Sequence, residues 1–182
     1  LTEMKKEIRK ELKIVPAKIS IVEHVTYVYS CRNCDKEGTG GFIKRADSPS
    51  ALIPKSFASA NVLAHLINQK YALALPLYRQ EQDWKRFGVT LTRQNLSNWI
   101  LKAGALLKPL EAALKRELLT NELLHADETT LEVLHEPGRE STAQSYMWLY
   151  RTTKDVVHPV ALYDYQVGRS GSYAVQYLKN WT

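Results

Sequence analysis

Cysteine is scarce in this chain, with two among 182 residues. That excludes a small secreted fold held by a disulfide framework. No run of about 18 consecutive apolar residues occurs, so no transmembrane helix is expected. The opening residues, Leu1-Thr-Glu-Met-Lys-Lys, contain neither an initiator Met nor the apolar core of a secretion signal. They predict an internal piece of a longer protein, with the cytoplasm as its default compartment. Internal repeats and low-complexity tracts are missing as well. What is present is ordinary globular composition, 45% hydrophobic and 24% charged. The length suits one medium domain or two small ones, able to bury ~70% of the unfolded surface without cross-links.

Charge is divided along the chain. Residues 1–60 carry 11 Lys/Arg against 7 Asp/Glu, residues 61–120 carry 9 against 4, and residues 121–182 carry 5 against 8, within a net charge of +6. A basic two-thirds that attracts polyanions by counterion release therefore precedes an acidic third. Clustered carboxylates in that last third suit divalent cations. A surface excess of this size is also common in proteins that bind no polyanion.

Three patterns succeed one another. From Leu12 to Cys34, β-branched and aromatic residues dominate, and Ile19, Ile21, Val25, Tyr27 and Tyr29 fall on alternating positions, which predicts strands with Pro16 at an edge or turn. Gly38–Gly41 and Ser48–Ser50 mark a loop. From Ser56 to Leu119 the period becomes helical. Val62, Leu63, Leu66, Ile67 and Tyr71 share one face. A second helix is expected from Pro76 to Gly88. A third opens at Thr92 as N-cap, with Leu96, Trp99, Ile100, Ala103 and Leu107 inward. Pro109 should kink it or begin a fourth helix carrying Leu110, Leu114 and Leu118. After Thr120, strands are expected over Leu123–Asp127, Leu131–Leu134, Tyr146–Tyr150 and Val156–Tyr163, then a helix over Ser172–Asn180 with Val175 and Leu178 inward.

The motifs each have two readings. Cys31-Arg-Asn-Cys34 has the spacing at which two thiolates chelate one tetrahedral zinc, but a closed site needs four ligands and no second CxxC exists. It is either half of a zinc knuckle or two thiols beside a hairpin, and a redox role lacks the strand-to-helix context. The chain alone is thus expected to hold zinc poorly or not at all. Pro76–Ala103 could form a helix-turn-helix. Its second helix would present Arg93, Gln94, Asn95, Asn98 and Lys102 to DNA, with Arg79, Lys85 and Arg86 on phosphates. The alternative is a plain helical hairpin with a solvated polar face. His125-Ala-Asp127-Glu128-Thr129 follows an apolar strand, where a carboxylate suits a divalent metal. A turn or cap role for Asp127, a satisfied core role for His125 and a surface role for Asp164 are the plainer readings.

Several stretches, in order, resemble the transposases of insertion-sequence family sixty-six. They are Lys13-Ile-Val-Pro-Ala-Lys18, Ile21-Val-Glu-His-Val25, Tyr29-Ser-Cys-Arg-Asn-Cys34, Lys70-Tyr-Ala-Leu-Ala-Leu-Pro-Leu-Tyr-Arg-Gln80, Leu96-Ser-Asn-Trp99 and Leu124-His-Ala-Asp-Glu-Thr129. The resemblance implies an α+β protein with a zinc-ribbon-like β-rich segment over 1–45 and a helical DNA-binding region over 56–119. The first part of a ribonuclease-H-like α/β domain would occupy 120–182. It implies a DDE-type carboxylate triad that cuts and joins DNA with Mg²⁺ or Mn²⁺. Asp127 would be the first acid of that triad and its first metal ligand, with the other two acids beyond residue 182. Cys31 and Cys34 would be the second cysteine pair of a zinc site whose first pair lies upstream. DNA is the expected partner, self-association is a further one, and a membrane is not expected. With one acid of three, this piece alone should not cut DNA. The competing readings are a DNA-binding regulator without catalysis and an unrelated metal-dependent hydrolase.

Overall fold

The structure, a computed structural model, describes residues 4, 8–15, 17–32, 36, 38 and 43–181. Pro16 and Cys34 lie outside the described residues, and with them the edge-strand expectation for the first and the zinc expectation for the second. The chain divides into two units, one ending at Ile100 and the other beginning at Leu101. It is a mixed α and β protein. Among the described residues it has two small sheets and four helices. No helix among these residues is long and apolar enough to cross a membrane.

In the first unit, strand β1 (Val28–Ser30) pairs antiparallel with β2 (Ile43–Arg45), with Tyr29 opposite Lys44. The strand expected over Leu12–Cys34 is otherwise not formed among the described residues. Ile14, Val15, Ile21, Val22 and Val25 are all exposed. Alternation would put Ile19, Ile21, Val25, Tyr27 and Tyr29 on one face, but a strand also needs a ladder partner and a surface to cover that face, and β1 finds only three residues of ladder.

Helix α1 (Ala60–Ile67) begins where the Ser59 hydroxyl accepts from the Val62 amide, and it buries Leu63 and Leu66. It runs into a π-helical turn (Asn68–Ala72). The extra residue per turn rotates the apolar stripe, so Tyr71, expected inward, is exposed. Helix α2 (Leu77–Arg86) has Pro76 as its N-cap and buries Gln80 and Trp84. Gly88, at φ 77°, ends the turn after it in a conformation that costs other residues energy. Helix α3 (Arg93–Leu119) opens as expected, with the Thr92 hydroxyl accepting from the Asn95 amide at 3.2 Å. Leu96, Trp99, Ile100 and Ala103 are buried, while Leu107 is exposed.

Proline 109 neither breaks α3 nor starts a new helix. It removes one backbone bond, but Leu106, Leu107 and Lys108 before it and Leu110 to Ala113 after it are strong helix formers. Of the three leucines expected on one face, only Leu118 is buried; Leu110 is 55% and Leu114 37% exposed.

The second unit contains an antiparallel meander in the order β3 (Leu124–Glu132), β4 (Gln144–Thr152), β5 (Ala161–Gln166). The two strands expected over Leu123–Leu134 are one. The last strand starts two residues after Pro159, whose missing N–H cannot join a ladder. Trp148 and Tyr150 on β4 form the core with Leu118, Val160 and Leu162. Helix α4 (Gly171–Tyr177) follows, capped by the Ser170 hydroxyl accepting from Ser172 N. It packs Tyr173, Ala174 and Tyr177 on that core, with Leu178 after it. Val175, expected inward, is 74% exposed, one position off the face that the helix turns to the sheet.

Candidate functional site

In the first unit the α2–turn–α3 hairpin sets the geometry. Burial of Trp84 on α2, Leu91 in the turn and Leu96, Trp99 and Ile100 on α3 leaves the polar faces outward. Arg79, Lys85, Arg86, Arg93, Gln94, Asn95, Asn98 and Lys102 are all exposed. Lys102 falls after Ile100, in the second unit. Arg93 and Gln94 share an open cleft with Lys70, Tyr78, Glu81, Thr92 and Ser97. The Gln94 amide donates to Asn98 Oδ1 at 3.0 Å. Arg79 Nε donates to the Tyr78 hydroxyl at 3.0 Å.

Sequence reasoning missed the acids of this hairpin. The Glu81 carboxylate lies 3.5 Å from Arg93 Nε and 3.9 Å from Lys85 Nζ, and Asp83 lies 3.7 Å from Arg86. The i,i+4 spacing of Glu81 and Lys85 was a visible signal for one of these contacts. The contact between Glu81 and Arg93 crosses the turn and had no local signal. At the other end of the unit, Cys31 follows β1 and is half-buried, and His24 is exposed.

In the second unit Asp127 sits in the middle of β3, opposite Leu149 on β4, and not at a strand end or in a turn. Its side chain is exposed, and Oδ1 accepts from the Glu128 amide at 2.9 Å. His125, two residues earlier on the same face, is exposed and is not a core histidine. Asp127 lines an open cleft with His125, Leu149, Arg151, Lys154 and Asp155. Arg151 pairs in register with His125.

The next row of the sheet points the other way. Glu128, Trp148 and Asp164 stand opposite one another across β3, β4 and β5. Glu128 is held by Arg169 Nε at 2.6 Å, which pushes the guanidinium pKa further up. Asp164 accepts from the Gln166 amide at 2.7 Å. The stacked Tyr150 and Tyr177 rings lie 4.1 Å apart. Burial, then the charge of Asp164, pushes both phenols up to about 12.

Alternation thus separates Asp127 from its nearest acids in sequence and sheet. Among the described residues no group of three or more His, Cys, Asp or Glu side chains is placed to hold a metal. Asp127 fits a divalent cation as one ligand of a larger set, since it is exposed and, among the described residues, its one hydrogen bond uses Oδ1 alone.

A family model described as "Transposase IS66 family" matches residues 55–182, and one described as the zinc-finger binding domain of transposase IS66 matches residues 1–35. Among curated relatives, uncharacterized protein y4jD of Sinorhizobium fredii is 30% identical over 93% of this chain and 33% of its own length. Uncharacterized protein y4qI of the same organism is 29% identical over 94% of the chain and 31% of its own length. The chain spans about a third of the length of these relatives. No solved structure matches it.

Proposed function

The chain belongs to the IS66 transposase family, and from that premise we propose that it is the part of a DNA transposase that binds element-end DNA and presents the first of three catalytic carboxylates. The observation that carries this reading is Asp127, exposed at the centre of the first strand of a three-stranded meander that is followed by a helix. That order agrees with the opening of a ribonuclease-H-like domain over 120–182. Strand β3 lies at the edge of its sheet among the described residues, so its outer edge can take a further strand.

In this reading residues 56–119 bind DNA as a helix-turn-helix. Arg93, Gln94, Asn95 and Asn98 meet base edges, while Arg79, Lys85, Arg86 and Lys102 meet phosphates. Residues 1–45 would serve as a zinc-ribbon-like segment, to which Cys31 and Cys34 would contribute two thiolates with two further ligands needed to complete the tetrahedron. DNA is the partner, a second copy of the protein is another, and the cytoplasm is the compartment.

Asp127 lines the cleft, where its carboxylate would be one ligand of Mg²⁺ or Mn²⁺. The metal, when bound, lowers the pKa of an attacking water or 3′-hydroxyl and stabilises charge on the phosphate. Arg151 and Lys154, in the same cleft, draw the phosphodiester toward Asp127 by charge. One carboxylate does not hold two metals in line, so the 182-residue chain binds DNA without cutting it.

The test is Asp127→Asn in the whole transposase. Asparagine keeps the oxygen that accepts from the Glu128 amide and loses the charged ligand. Strand cleavage with Mn²⁺ should fall at least about a thousandfold, with duplex affinity unchanged within about twofold. Cleavage at the wild-type rate would refute the catalytic role and leave a DNA-binding regulator.

A further inference from the structure

We propose that Glu81 is a specificity-determining residue of the DNA-binding hairpin, one that competes with phosphate for Arg93 and Lys85 and aims Arg93 at a base edge. The inference rests on the reading of α2–turn–α3 as a DNA-binding unit and adds an acid to a face described so far by its cations.

Glu81 lies on α2 with its side chain 18% exposed, whereas the cations it faces are 70% (Arg93) and 57% (Lys85) exposed. The acid is less solvated than the two cations, which reach out from it. Asp83, the other acid of α2, stands on a different face two residues on, is 47% exposed and among the described residues pairs with Arg86, so water and salt screen it more. Glu81 also lines the cleft that holds Arg93 and Gln94. Any phosphate entering there meets its negative charge.

The atoms involved indicate which kind of contact survives. Glu81 approaches Arg93 at Nε, 3.5 Å away. The two terminal nitrogens of the guanidinium remain, and they form the planar fork that matches O6 and N7 of guanine. A carboxylate behind Nε disfavours phosphate, which carries a full charge, much more than guanine, which carries none. Glu81 therefore lowers affinity for DNA in general and spares a base contact, which raises the ratio of specific to non-specific binding.

The experiment compares the 182-residue chain with its Glu81→Gln variant on random-sequence duplex, and on the duplex that the wild type enriches from that random pool. Removing the one carboxylate that pairs with both Arg93 and Lys85 should tighten binding of the random duplex about three- to tenfold at low salt. The gain should shrink as salt rises, and the preference for the enriched duplex should fall by a similar factor. Glu81→Asp, which keeps the charge, should stay near wild type. The gain should largely vanish when Arg93→Ala and Lys85→Ala are also present, the signature of coupled residues. Unchanged or weaker binding by a folded Glu81→Gln variant, while wild type binds, would overturn the proposal and leave Glu81 a brace between helices. If neither protein binds any duplex at low salt, the DNA-binding reading falls and this inference falls with it.

Discussion

Replacing Leu118 by alanine should unfasten the sheet that carries Asp127. Leu118 is fully buried in the last turn of α3, and its neighbours in the core are Trp148, Tyr150, Val160 and Leu162. Leu→Ala removes the transfer free energy of the deleted carbons and leaves a cavity between rings that cannot collapse freely, a loss of ~3 kcal/mol within a range of about 2–5. The better helix propensity of alanine returns only about 0.2 kcal/mol. For a unit of this size, ~3 kcal/mol lowers the melting point by roughly 10–25 °C. Leu110 stands two turns earlier on the same side of α3 and is 55% exposed. Its replacement should cost about 1 kcal/mol or less. The assay is amide hydrogen exchange at Trp148 and Tyr150 in β4, which reports the second unit alone, with α2 amides as the internal control. Leu118→Ala should speed exchange in β4 and leave α2 unchanged. Equal effects of the two replacements, or no effect of Leu118→Ala, would refute the assignment of the core.

Three further outcomes are expected. Arg93→Ala should weaken DNA binding by an amount that depends on sequence, roughly 1–3 kcal/mol where the contact is bidentate to guanine, whereas Lys85→Ala should weaken all duplexes alike and lower the salt slope by about one unit; salt titrations on several duplexes separate the two. The Tyr150 and Tyr177 phenols stand near 12 in the folded state against an ordinary value of 10.0. Their neutral forms therefore stabilise the fold fully below pH 10 and lose that contribution as pH rises toward 12, and an alkaline absorbance titration with parallel unfolding should show late ionisation. Glu136, in the turn after β3, accepts from the hydroxyls of Tyr165 and Ser145 and from Arg139, 2.7 Å away. Its carboxyl is held below its ordinary value, led by the Tyr165 bond. The stabilisation is present above the unfolded pKa and is lost as pH falls through the lowered folded value. Glu136→Gln should accordingly flatten the acid limb of the stability profile, and an unaltered limb would refute the role.

The parts of the site visible beforehand were those written in local period and capping. The 3/4 spacing of Leu96, Trp99, Ile100 and Ala103 named the inward face of α3, and its complement named Arg93, Gln94, Asn95 and Asn98 as exposed. Thr92 and Gly88 marked the helix start and the turn because their chemistry is local. The apolar, aromatic run Tyr146–Tyr150 marked the strand whose Trp148 and Tyr150 form the core. Ordered short motifs from Lys13 to Thr129 identified the family.

What the tertiary structure decided was which faces are covered and which charges meet. Periodicity tells which residues share a face, but not whether anything lies against it. Ile14, Ile21 and Val25 therefore read as strand and are exposed, and Leu110 and Leu114 share a side with Leu118 but not its burial. Register placed Asp127 in mid-strand beside Arg151 and turned Glu128 and Asp164 to the opposite face, because a step of one residue along a strand reverses a side chain. The ion pair of Glu81 with Arg93 joins two helices across a turn. A distance between residues twelve apart in sequence is set by how the helices pack, and no local pattern encodes it.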